Sequence, residues 1–122
     1  MKGIVDEDLR ALLDVQVGGV PNGPKSVVVV WIDTAFNGGL VLPHQVIERL
    51  GLKQYSSTPA ILADGQQVEL PTYTCYLDWF GKEYRTQVVA NDGANPLLGT
   101  MLLDGHELFV SYKRRTLTLD EQ

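Results

Sequence analysis

The chain has little with which to hold a metal or close a disulfide. It has one cysteine, Cys75, and two histidines, His44 and His106, in 122 residues. One thiol excludes an intramolecular disulfide, and no Cys or His spacing suits a zinc site, so no metal and no cofactor is expected. Both histidines read as ordinary solvated residues, His44 in the first turn of a helix and His106 in a turn. Positive charge is also scarce, at ten Lys and Arg against fifteen Asp and Glu, a net charge of −5. That balance argues against nucleic acid or an anionic membrane surface as a partner. No apolar run approaches the about 18 residues of a membrane span, and the short, acidic start of the chain does not read as a secretion signal. A reducing, cytoplasmic setting is the expectation. The sequence contains no linker, low-complexity segment or strong repeat. With 44% apolar residues there is enough for one core, so residues 1–122 read as one domain.

Short strand-like runs separated by turns fill the chain. Leu9, Ala11, Leu13, Val15 and Val17 alternate with their neighbours and predict a half-buried strand. Gly18 to Pro24 predicts a turn, and Val27 to Ile32 a strand apolar on both faces, covered on both sides. Leu40 to Leu42 continues as a short strand. Pro43 suits the first position of a helix running to Leu50, with Gly51 as its cap. Lys53 to Pro59 reads as a loop. Ala60-Ile61-Leu62 and Val68-Glu69-Leu70 flank Ala63-Asp64-Gly65-Gln66, whose Asp-Gly pair signals a hairpin. Tyr73, Cys75, Leu77 and Trp79 predict a further strand, followed by Tyr84 to Ala90. One helical turn is expected at Met101 to Asp104. Leu108 to Tyr112 and Thr116 to Leu119 form a closing hairpin whose Lys113-Arg114-Arg115 tip is solvated. The whole describes a small, mainly β barrel or sandwich with one or two short helices.

Few residues offer chemistry. Cys75 lies on the apolar face of its strand, where a thiol behaves as a small buried hydrophobe, and no Gly-x-Ser-x-Gly elbow is present. Gly23-Pro24-Lys25-Ser26 lacks the helix that a phosphate loop requires. That leaves Asp33, an acid at the end of the buried run Val27 to Ile32. A carboxylate there is costly unless hydrogen-bonded or paired. It either caps a turn through the amides of Thr34, Phe36 or Asn37, or it is there for a reaction.

Asp33-Thr34-Ala35, preceded by Val30-Trp31-Ile32, resembles the Asp-Thr/Ser-Gly motif of the retropepsin-type aspartic proteases. Phe36, Gly38, Leu40, Leu42 and Pro43 are similar to the continuation found in single-domain bacterial and archaeal members. Leu97-Leu98-Gly99 before Thr100 to Leu103 resembles that family's second signature, and Ala60 to Leu70 lies where its flap hairpin lies. The resemblance implies a closed retropepsin-like β barrel and an aspartic endopeptidase acting on a peptide or protein substrate. Asp33, Thr34 and Ala35 would form the catalytic motif, with Ala63, Asp64, Gly65 and Gln66 the substrate-binding flap. Only one Asp-Thr pair is present, so activity implies a homodimer with one Asp33 from each copy. The same resemblance implies that Thr34 bonds across the axis and that terminal strands interlock between copies. Ala35 stands where the family carries Gly, which keeps two further readings open: a catalytically inactive dimeric module that binds peptides or partners, and a structural β domain.

Overall fold

The computed structural model describes residues 1–61 and 63–121, with the backbone alone at 55–60 and 68–70. Strand β1 (Lys2–Val5) leads into β2 (Ala11–Gly18) through an acidic turn. In that turn the Asp6 carboxylate accepts the Asp8 and Arg10 amides at 3.1 and 2.9 Å and the Arg10 guanidinium at 2.7 to 2.9 Å. Leu9 sits inside it at φ 64°, exposed. The strand expected from Leu9 therefore starts at Ala11, because the Asp6 turn claims the first part of the alternating run.

β2 forms the expected hairpin with β3 (Ser26–Ile32). β3 is not covered on both sides. Val28, Val30 and Ile32 point into the core, whereas Val27 and Val29 are about half exposed on the outer face. The apolar run thus forms one layer of a barrel wall rather than the middle of a sandwich. β4 (Leu40–Pro43) ends at Pro43, which caps α1 (His44–Leu50) from outside the helix, one position earlier than expected. Gly51 closes α1 in the left-handed region at φ 66°, as its sequence position predicts.

Lys53 to Pro59 is not a loop. It belongs to β5 (Lys53–Ile61), which pairs antiparallel with β6 (Gln67–Trp79). Ser, Gln and Pro are poor strand signals, but backbone pairing with β6 overrides them. β5 is an edge strand, where Pro59 is tolerated. β6 runs through Pro71 and joins the two runs expected at Val68 to Leu70 and from Tyr73 to Trp79. Pairing of β6 with β7 (Lys82–Asn91) begins only at Thr72, so no β7 bond is lost at the proline. The turn between β6 and β7 has Phe80 and Gly81 at φ 52° and 81°, the twist that a two-residue hairpin requires. Leu62, within the expected flap, lies outside the described residues.

The chain closes with β8 (Leu97–Leu98), α2 (Thr100–Leu103), β9 (His106–Ser111) and β10 (Thr116–Glu121). The expected closing hairpin is β9–β10, with an exposed basic tip. Strands pair in the order β5-β6-β7-β4-β8-β3-β2-β1-β10-β9, and β2 also pairs with β6. The stretch from β6 to β2 is therefore a closed six-stranded barrel, the mainly β architecture expected. Its interior holds Val15, Val17, Val30, Leu40, Leu42, Leu77, Val88 and Leu98, all buried. Each such side chain contributes about 1.5–3 kcal/mol relative to exposure.

The terminal strands do not stand free. β1 pairs with both β2 and β10, and β10 with both β1 and β9. Interlocking them with a second copy would break ladders already formed. The free edge at this end of the sheet is β9. His106, at its start, is not simply solvated. Its ring stacks on Phe80 at 4.8 Å and its Nδ1 lies 2.8 Å from the Asp104 carbonyl oxygen. His44 is half exposed, 3.3 Å from Asp92.

Cys75 is fully buried on the inner face of β6, and burial pushes its thiol up to about 12. The native protein is expected to resist thiol-alkylating reagents at neutral pH and to react with one equivalent per chain once denatured. Titration with an aromatic disulfide reagent, with and without denaturant, checks this.

Candidate active site

Asp33 leaves the barrel wall at the end of β3, and its position is set by β8. These two residues lie between β3 and β4, parallel to the first and antiparallel to the second. Leu97 faces Trp31 and Val41 in register, and Leu98 faces Ile32 and Leu40. Pairing continues past the strand ends. Trp31 N–H donates to Pro96 O at 2.9 Å and Asp33 N–H to Leu98 O at 2.9 Å. The acid is therefore fixed through its own backbone amide to the middle of the Leu97-Leu98-Gly99 segment.

The loop from Asp33 to Gly39 is braced along its length by the same segment and the start of α2. Gly99 N–H donates to Gly39 O at 2.8 Å, Thr100 N–H to Phe36 O at 2.8 Å, and Met101 N–H to Gly38 O at 3.2 Å. The Thr100 hydroxyl gives a second bond to Phe36 O at 3.2 Å. Phe36 and Thr100, which the sequence reading did not single out as contacts, thus join the two signatures. The only sequence signal for this was that both signatures occur in order.

The Asp33 carboxylate is half-buried. One oxygen accepts the Ala35 N–H at 3.0 Å, and Phe36 N–H closes the turn on the Asp33 carbonyl at 3.2 Å. The turn-capping role is real, but it is made through Ala35 rather than Thr34, Phe36 or Asn37, and it occupies one carboxylate oxygen. Among the described residues, no cation pairs with Asp33 and no second carboxylate bonds to it. Thr34 is exposed, and its hydroxyl makes no hydrogen bond among the described residues. Ala35 is exposed too and is absent from the residues with positive φ. The backbone at this position therefore does not require glycine.

Ala63, Asp64, Gly65 and Gln66 form an exposed tip on the β5–β6 hairpin. Gly65 has φ 87°, and the Asp64 carboxylate accepts the Gln66 N–H at 3.0 Å. The tip makes no hydrogen bond to the Asp33 loop among the described residues. No three His, Cys, Asp or Glu side chains come together as a metal site among those residues. Behind the Asp33 loop, Asn37, Thr100, Met101 and His106 help line an open depression of about 600 Å³.

Gly99 is required by contact rather than by its dihedrals, which are extended. A Cβ there would overlap the carbonyl oxygens of Gly38 and Phe36 and the Phe36 ring. Gly99→Ala is expected to destabilise the fold by about 1–3 kcal/mol, because backbone has to move. Its effect should concentrate in the Asp33 loop. Urea unfolding, with amide chemical shifts of Asp33 to Gly39, checks both parts; a silent substitution at both readouts contradicts the brace.

Solved structures share this architecture. A retropepsin-like aspartic protease from Rickettsia conorii is 18% identical over 99% of this chain and 89% of that chain, with a TM-score of 0.69. EIAV protease, solved in complex with the inhibitor HBY-793, is 20% identical over 80% of this chain and 88% of its own, at 0.62. The retroviral protease-like domain of Ddi1 from Leishmania major is 16% identical over 91% and 90%, at 0.52. No family model matches the sequence, and no curated protein matches it. The structural neighbours of the chain are retropepsin-like aspartic proteases, and the barrel built around Asp33 has the retropepsin fold.

Proposed function

We propose that the chain is an aspartic endopeptidase whose active site forms when two copies bring their Asp33 carboxylates together. The observation that carries this reading is the state of Asp33. It is a rigidly braced carboxylate with one oxygen bound to its own loop, the other without a protein partner among the described residues, and only one such loop per chain.

Two carboxylates at hydrogen-bond distance cannot both ionise easily, so they share a proton and titrate as a pair. A water held between them meets a base and an acid at once. One Asp33 takes a proton from the water as it attacks the peptide carbonyl carbon. The other gives its proton to the carbonyl oxygen. Collapse of the tetrahedral intermediate breaks the C–N bond, and the amine leaves with a proton returned from the pair. Thr34, exposed beside Asp33, would bond to the opposing loop. Ala35 fits the backbone it occupies. The tip at Ala63 to Gln66 would close over an extended substrate and hold it through backbone hydrogen bonds, as an added strand is held.

The edge of β9 is open to pairing with a second copy. Antiparallel pairing of β9 with its symmetry mate, centred on Phe109, keeps Leu108 opposite Val110 on the inner face. Phe109, 67% exposed in the protomer, then meets its own copy on the outer face.

Asp33→Asn is expected to lower hydrolysis of a diverse peptide library by about a thousandfold or more, with the dimer intact by light scattering. A wild-type dimer that cleaves nothing between acidic and neutral pH refutes the enzyme and leaves a peptide-binding module. Phe109→Lys places a charge on the pairing edge. It should weaken the dimer by at least about tenfold and make specific activity rise with protein concentration; unchanged sedimentation would place the contact elsewhere.

A further inference from the structure

The outer face of β1, β2 and β3 carries an apolar patch that the proposed active site does not use. Ile4, Val27 and Val29 are 57%, 50% and 47% exposed, and Leu12 is half-buried between them. Register places these side chains on one surface. Ile4 faces Leu12 across β1 and β2, and Asp14 faces Val29 across β2 and β3. Within the patch, Lys2, Ile4, Leu12, Asp14 and Val29 surround a hollow of about 390 Å³. Val27 stands beside it, two residues along β3 from Val29.

We infer that this face is a second self-association surface, whose occupant is the same face of another copy of the chain. Two features of the patch support a copy of itself. The first is charge. Lys2 and Asp14 border the same hollow, both exposed, and neither forms an ion pair among the described residues. A two-fold axis between them sets each Lys2 on the Asp14 of the other copy, so both charges are answered without a foreign partner. The second is shape. The patch presents a projecting apolar side chain, Val27, next to an apolar hollow, so two copies can each supply the knob for the other's hole. A partner of different chemistry would need its own acid and base in matching places.

The patch begins at β1, with β10 alone between it and the β9 edge, and it presents the face of the wall where β9 presents its edge. The two contacts together generate a tetramer if their axes close, or a growing chain if they do not. The inference does not rest on catalysis.

Sedimentation velocity of the full chain, from micromolar to submillimolar concentration, tests it on an Asp33→Asn background that removes self-cleavage. A species larger than a dimer is expected. Val29→Asp should raise its dissociation constant by at least about tenfold. Lys2→Glu and Asp14→Lys should each do the same, and the double charge swap should restore assembly. Phe109→Lys should leave association through this face alone. A wild-type chain that never exceeds the mass reached by Val29→Asp overturns the inference. So does a double swap that stays dissociated. Protection of Val27 and Val29 from oxidative footprinting without a change in mass would mean that something other than a second copy covers the face, which overturns it equally.

Discussion

Everything at the site depends on two residues that have a strand on either side. Leu97 and Leu98 occupy the gap between β3 and β4, and the loop joining those strands carries Asp33. A backbone buried in such a gap must place its amides and carbonyls on both neighbours. It does so, and the Leu98 carbonyl is the one that receives the Asp33 amide. The apolar side chains provide the reason for the insertion and the hydrogen bonds its register. Gly99 then lets the chain turn into α2 against the carbonyls of the loop it has just fixed. The acid is thus positioned by backbone, and among the described residues one of its carboxylate oxygens accepts a hydrogen bond from its own loop.

Two charged clusters set how the fold tolerates protons. Hydrogen bonds from Arg10 hold Asp6 below its ordinary value, and Lys25 and the Asn22 amide do the same for Glu83. Folded-state values lowered in this way give stability above the ordinary carboxylate range, lost only as pH falls through the lowered values. Lys25, raised by Glu83, keeps its share until pH rises through the raised value. The first cluster closes the β1–β2 turn on itself, and the second ties the Gly18 to Pro24 turn to Glu83 at the start of β7.

Much of this was legible in the chain because burial and chemistry disagreed at one place. An acid ending a run of Val, Trp and Ile stands out, and so does Leu-Leu-Gly ahead of a helical turn. α1 could be read because Pro43 and Gly51 bracket it with residues whose backbone preferences are strong. β5 could not, since its strand character comes from β6 and not from its own Gln, Ser and Pro. The exposure of Val27 and Val29 was hidden for a similar reason. A run of four valines gives no sign of which side is covered, and coverage is settled by neighbours distant in sequence. β1 also escaped notice, because its few residues become a strand only once β2 and β10 are there to pair with them.

The brace has a bearing on when the site comes into being. Thr100 and Phe36, which it joins, are 64 residues apart. Contacts so far apart in sequence form late, since the intervening chain must be ordered before they repay the entropy of closing it. A ribosome-bound chain that has emerged only as far as β7 contains the Asp33 loop but none of the Leu98, Gly99, Thr100 and Met101 partners that brace it. The loop acquires its brace only when the last quarter of the chain arrives.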